Sequence, residues 1–317
     1  MSNLLNRITV VFFLIFAVIL TVKATEDISY LFTAVSKGDL AAVNAILASG
    51  ASVNITDEDG LTPLMYAARK DKSEITTALI GKGANINAVD KGGWTALMYA
   101  AKKDHIATVE VLLKHGADPK VRDPWGWSAF GVAAVSGYSH TVNILLAHDV
   151  DVDTRSDDGK TVLMHAAKSG DIPTITALLD NKANIQAQDK LGLTALMIAA
   201  RQGHSSAVEL LAQRGGNINQ RDLSKWTALT WAIKKSQYKA AEILISAGAD
   251  VNSLDDEGTP LLHIAVNNGR ADLVKLLLDH QAKVKAKDQY GLTALVYALK
   301  GQHAEIIDLI KGAGGSY

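Results

Sequence analysis

The chain has 317 residues, 48% of them hydrophobic and 21% charged, with a formal net charge of −1. This is the composition of an ordinary soluble protein, and so even a balance of charge offers no basic domain for nucleic acid. With no cysteine at all, disulfide frameworks, thiolate metal sites and cysteine nucleophiles are excluded.

Met1–Arg7 is short and carries one positive charge, and Val10–Leu20 is an unbroken apolar run. Val22-Lys23-Ala24 follows as a small-x-small exit, before Glu26 and Asp27. Charged start, apolar middle and small-residue exit form the pattern of a secretory signal peptide over residues 1–24. The apolar core is shorter than the roughly 20 residues a membrane span prefers. Export is therefore expected, to a periplasm or the exterior, with a membrane anchor through residues 8–22 as the alternative if the segment is retained. Lack of cysteine is compatible with an oxidising compartment.

Beyond the leader, Thr62, Thr95, Thr161, Thr194, Thr227 and Thr293 stand at whole multiples of 33 residues, and Ser128 and Pro260 fill the two missing steps. A fixed period of this length means one supersecondary unit stacked many times, and the unbroken register argues for one elongated array. The first repeat, Ile28 to Thr56, opens directly on helix sequence at Leu31-Phe32-Thr33-Ala34. The next shows the full design in Asp57-Glu58-Asp59-Gly60-Leu61-Thr62-Pro63-Leu64-Met65-Tyr66-Ala67-Ala68. Asp57 and Gly60 suit a tight turn, Thr62 is an N-cap, and Pro63 has its φ preset for a helix start. A second helix follows with apolar residues at i, i+3 and i+4, as in Val109, Leu112 and Leu113. It stops at Gly-Ala pairs such as Gly83-Ala84 and Gly248-Ala249, where glycine takes the left-handed conformation that ends helices.

Turn, helix, helix and loop at this period resemble the ankyrin repeat. The resemblance is carried by Thr62–Ala68, by Gly93-Trp94-Thr95-Ala96-Leu97-Met98-Tyr99-Ala100-Ala101, by the third copy at Gly192–Ala200, and by the loop Gly248-Ala249-Asp250-Val251-Asn252. It covers residues 28 to 314 and implies an all-α fold, an α-solenoid of stacked 33-residue helix-turn-helix repeats. The reading has nine repeats: an N-terminal cap over 28–56, seven repeats over 57–287 opening at 57, 90, 123, 156, 189, 222 and 255, and a C-terminal cap over 288–317. End repeats differ because they have one neighbour instead of two. An export signal on an ankyrin-like array points to a bacterial source.

No nucleophile elbow, phosphate-cradling loop or His-Glu-x-x-His motif is present. His105, His204 and His303 share one register position, and stacked copies would lie about 10 Å apart, too far to share a metal. His165 and His263 fall in first helices, where packing or capping explains them. Carboxylates recur in the turns, at Asp57, Asp90, Asp123 and Asp255 among others, and turn formation accounts for them better than paired-acid chemistry. No cofactor, metal or enzymatic activity is expected.

In ankyrin-like arrays the turn fingers and first helices line a concave surface on which partners dock. The residue before the cap runs Leu61, Trp94, Trp127, Lys160, Leu193, Trp226, Thr259, Leu292. Trp125 and Leu191 stand two positions earlier, so Trp94, Trp125, Trp127 and Leu191 are expected to cluster over the middle of the array. Aromatic clusters of this kind are contact sites when exposed; the alternative is packing between fingers. The repeat from Asp123 departs most from the others, with Pro124, Trp125, Trp127, Phe130 and Gly131. Seven residues after the cap stand Arg69, Lys102, Lys168, Arg201, Lys234 and Lys300, a basic ridge that favours an acidic partner. The expected function is monomeric, non-enzymatic binding of another protein through Trp94, Trp125, Trp127, Leu191, Leu193, Trp226, Arg69, Lys102, Lys168, Arg201 and Lys234. Two alternatives stay open: the tryptophan fingers stack on a sugar or cell-wall polymer, or the chain is a membrane-tethered scaffold.

Overall fold

The computed structural model describes residues 30–316; the export segment and the start of the first repeat lie outside them. The described residues form two compact units, one ending at Val150 and one starting at Asp151. The first contains α1 (30–37), α2 (Leu40–Ala48), α3 (Pro63–Arg69), α4 (Ser73–Gly81), α5 (Ala96–Ala101), α6 (Ile106–Lys114), α7 (Ala129–Val135) and α8 (Ser139–Leu146). The second contains α9 (Val162–Ser169), α10 (Ile172–Asp180), α11 (Ala195–Gln202), α12 (Ser205–Gln213), α13 (Ala228–Lys234), α14 (Tyr238–Ser246), α15 (Leu261–Asn267), α16 (Ala271–Asp279), α17 (Ala294–Lys300) and α18 (Ala304–Gly312). Among the described residues there is no strand, only isolated bridges such as Arg155 to Thr161. No helix among them is long and apolar enough to cross a membrane.

Each unit is an α-solenoid of helix hairpins. First helices pack on first helices, α3 on α5 on α7 and α9 through α17, while second helices pack on second helices in a parallel layer. The alanine pairs make the close approach possible: Ala67, Ala68, Ala100, Ala101, Ala199 and Ala200 have no exposed surface. Leucines from both layers, among them Leu64, Leu79, Leu97 and Leu112, fill the space between and are 1% exposed or less.

The caps follow the sequence in most repeats. Thr62 Oγ1 accepts the Met65 amide at 3.3 Å, and Thr95, Ser128, Thr161, Thr194 and Thr227 do the same for the amide three residues on. Two repeats differ. Pro260 has no hydroxyl to cap with, and Thr293 donates its own to the Ser316 carbonyl at 2.9 Å.

Loops join neighbouring repeats through a side-chain ladder. Asn54 donates to the Gly83 carbonyl and accepts the Asn85 amide, 3.1 and 2.7 Å; Asn87, Gln186, Asn219 and Asn252 repeat the motif. Lys120 occupies a ladder position and has no oxygen to accept an amide, so it pairs instead with Asp149 at 2.9 Å. Asp149 holds a left-handed φ of 55°, and Lys182 and Gln281 are left-handed at the same register position, where the remaining repeats place glycine. The register alone predicts one unbroken array, and the boundary between the two units falls directly after Asp149 and Val150, the residues that replace Gly-Ala.

The histidines serve the same stacking. His105 Nδ1 lies 2.9 Å from the Ala68 carbonyl and His204 Nε2 3.0 Å from the Lys168 carbonyl, each reaching the first helix of the preceding repeat. His263 is 1% exposed, its Nε2 bonded to the Leu292 carbonyl at 3.0 Å and its Nδ1 buried with no partner. Donation from Nε2 leaves a lone pair on Nδ1, so protonation would bury an N–H without an acceptor. Burial accordingly pulls the His263 pKa below its ordinary 6.5. A depressed histidine binds protons more readily unfolded than folded, so stability is intact above about pH 6.5 and falls as pH drops below it. Urea midpoints measured at pH 7 and pH 5 should show this fall, and His263→Gln should reduce it.

Candidate functional site

Each complete finger except the one opening at Ser156 is built around one turn carboxylate. Asp222 Oδ1 accepts the amides of Ser224 and Trp226, both at 2.9 Å, and Oδ2 accepts the Trp231 indole N–H at 2.8 Å. Asp90 holds the Gly92 and Trp94 amides and the Tyr99 hydroxyl in the same way, and Asp57 and Asp288 hold Tyr66 and Tyr297. These bonds raise the phenol pKa values. Tyr297 is pushed up to about 12, first by its bond to Asp288 and then by burial, while burial followed by the Asp90 bond raises Tyr99 further. The turn carboxylates are thus occupied in shaping fingers. Among the described residues no group of three His, Cys, Asp or Glu side chains is placed to hold a metal.

In the first unit, Trp94 is half-buried, packs on Tyr99 with ring centroids 5.2 Å apart, and donates its indole N–H to Asp123 Oδ2 at 3.2 Å. Its ring ties one finger to the next. Trp127 is half-buried over α7, and a Cβ on Gly131 would stand 2.7 Å from its Cε3. Four other repeats place methionine at this register position, Met65, Met98, Met164 and Met197, and the rest Thr230, His263 and Val296, so Gly131 is the void into which Trp127 fits. Trp125 is the exposed one, at 59%. The Arg69 guanidinium lies 4.4 Å from the Tyr66 ring centroid, and Lys102 donates to Ser136 Oγ at 3.3 Å.

The Trp127–Gly131 pair gives a test with a change of sign. Gly131→Ala alone should destabilise by about 1–3 kcal/mol through overpacking. Combined with Trp127→Leu, the same change should stabilise relative to Trp127→Leu alone by up to about 1 kcal/mol, because alanine is the better helix former. Chemical denaturation of the four proteins in this cycle checks it.

In the second unit, Trp226 and Trp231 meet edge to face at 4.7 Å. Lys234 Nζ sits 4.1 Å from the Trp226 centroid and the Arg201 guanidinium 5.1 Å from that of Trp231. Trp226, Arg201 and Lys234 therefore come together, and the Trp226 N–H is buried without an acceptor. Lys168 is exposed. Leu191 is 62% exposed, and its nearest counterpart is Leu223, 76% exposed, whose amide donates to the Leu191 carbonyl at 3.1 Å. Leu191 is a member of the second unit, whereas Trp94, Trp125 and Trp127 belong to the first. Leu193 corrects the expectation for its column. It is 2% exposed and part of the core, because the finger turns it inward beside the cap.

Three residues of this site escape the column analysis. Trp231 had a signal, an aromatic nine residues after the turn aspartate, shared with Tyr66, Tyr99 and Tyr297. Leu223 and Lys225 stand one and three residues after the turn aspartate, in finger positions outside the two tryptophan columns.

A family model described as ankyrin repeats (3 copies) matches residues 31–123, 115–189, 167–255 and 248–315. No curated protein matches the chain.

Proposed function

We propose that this chain, which belongs to the ankyrin repeat family, is a scaffold that engages a partner protein through its fingers and first helices. Ankyrin repeats are protein–protein interaction modules, and the family is typically non-catalytic. The observation that carries the reading is the division of labour between the two helix layers and the fingers. Alanines and leucines are consumed in stacking, whereas Trp125, Leu191, Leu223, Lys168 and Lys234 stay exposed on fingers and first helices. Within the second unit, large apolar and basic groups left exposed together fit a contact surface. We further propose that the chain acts as an exported monomer of nine repeats, with residues 1–24 removed; the N-terminal sequence of the cell-derived protein, starting at Thr25, tests the removal.

Affinity capture from the native compartment tests the binding reading. The wild-type chain should retain one stoichiometric protein, and a variant with Trp125→Ala, Leu223→Ser and Lys234→Gln should lose most of it. Changes on the second helices, such as Glu209→Gln with Glu242→Gln, should leave retention intact. Loss only with the second-helix variant contradicts the proposal. Capture of a glycan in place of a protein favours the sugar-binding alternative.

A further inference from the structure

The second unit carries an imbalance of charge that is local to two repeats. The fingers and first helices opening at Asp189 and Asp222 present Lys190, Arg201, Lys225, Lys234 and Lys235. Their only carboxylates are Asp189 and Asp222, each 8% exposed and each already holding finger amides. Arg201 and Lys234 form no ion pair with a carboxylate among the described residues; each lies over an indole ring instead. The fingers on either side carry exposed carboxylates, Asp157 and Asp158 before, the latter paired with Lys160, and Asp256 and Glu257 after. Within this basic stretch stand Leu191 and Leu223, the two most exposed leucines described, on adjoining fingertips.

Lys225 adds an independent sign. It occupies the left-handed corner of its finger at φ 59°. The equivalent corner is glycine in every other complete finger, from Gly60 to Gly291, with φ between 73 and 84°. A side chain in this conformation is a standing cost to folding that glycine avoids. What the chain gains there is a cation beside Leu223. Strain retained at one copy of a repeated turn is the kind of local departure that accompanies function.

We propose that these two repeats bind an extended acidic segment of the partner protein that carries a large apolar side chain. The proposal rests on the protein-binding reading above and specifies its chemistry. Carboxylates of the segment meet Lys190, Lys225, Lys234 and Arg201, and the apolar side chain covers Leu191 and Leu223. The acidic flanking fingers repel a longer acidic run and confine the footprint. With repeats about 10 Å apart and about 3.3 Å per extended residue, the two repeats and their margins take a segment of roughly six to nine residues.

The test uses the full chain and three fluorescein-labelled decapeptides, alternating Glu and Leu, Lys and Leu, or Glu and Ser, read by anisotropy. The Glu/Leu peptide should bind at least about tenfold more tightly than either other peptide, and its affinity should fall as salt rises. Arg201→Gln with Lys234→Gln should weaken it about tenfold, and Leu223→Ser should weaken it as well. Lys225→Gly is the decisive variant, because its two effects have opposite signs. It should raise the melting temperature by about 2–4 °C as the corner relaxes, and should weaken the Glu/Leu peptide. A lysine with a purely structural role would not separate the two. No binding of the Glu/Leu peptide, equal binding of Glu/Leu and Lys/Leu peptides, or unchanged binding by Lys225→Gly overturns the inference. If the captured partner is still lost from first-helix and finger variants in that case, the protein-binding reading stands without its acidic segment. If capture is indifferent to those variants, the protein-binding reading is what fails.

Discussion

Phe130→Ala should destabilise the first unit by about 3–5 kcal/mol, the range for emptying a fully buried aromatic site. Phe130 has no exposed surface and lies in α7, which packs on α5 and α8. The other repeats place leucine at this register position, from Leu64 to Leu295, so Phe130→Leu should cost less than about 1.5 kcal/mol. The contrast isolates volume from chemistry. In a repeat array, stability is a sum of repeat and neighbour terms, and the loss should be local. Hydrogen exchange should show α7 and α8 opening first, with α16 and α18 unaffected. Uniform loss of protection across the chain would show that the repeats unfold as one body.

Asp222→Ala is expected to cost about 2–4 kcal/mol in the second unit. It removes the acceptor of two finger amides and leaves the Trp231 indole N–H without its partner, and hydrogen bonds to a charged group contribute about 1.5–3 kcal/mol each before water replaces part of them. Asp222→Asn keeps an oxygen for the amides but turns an N–H toward Trp231, so an intermediate cost is expected. Asp189 is the internal control. Its Oδ1 holds Leu191 and Leu193 in the same turn, but its Oδ2 accepts no hydrogen bond and has only Lys160 Nζ at 3.7 Å. Asp189→Asn should therefore cost less than Asp222→Asn, and denaturation of both variants decides it.

The chemistry that acts over a few residues was legible in the sequence. Thr62, Pro63 and Gly60 specify a cap, a helix start and a left-handed corner without reference to other repeats, and the structure uses them so. The histidines and turn aspartates also read correctly as parts of the scaffold. What was not legible depends on residues about 30 positions apart. Trp94 reads as an exposed contact until its indole is seen to reach Asp123. Leu193 and Leu191 are two positions apart in one finger, yet one is core and the other exposed. The Trp226, Trp231, Arg201 and Lys234 cluster joins two repeats, and only the stacking geometry assembles it. Gly131 stands out in the sequence as a departure without a reason, because the reason, the Trp127 ring, lies in a neighbouring column.

Across both units, fingers and first helices carry most of the exposed large apolar side chains, with exposed basic groups among them, and this is the layer we propose for recognition. Hydrogen exchange of the full chain with and without its captured partner tests it most directly. Added protection is expected in the fingers and first helices, strongest over residues 189–201 and 222–234, with α12 and α14 unchanged. Protection concentrated on α12 and α14, with the fingers exchanging as in the free chain, would contradict it.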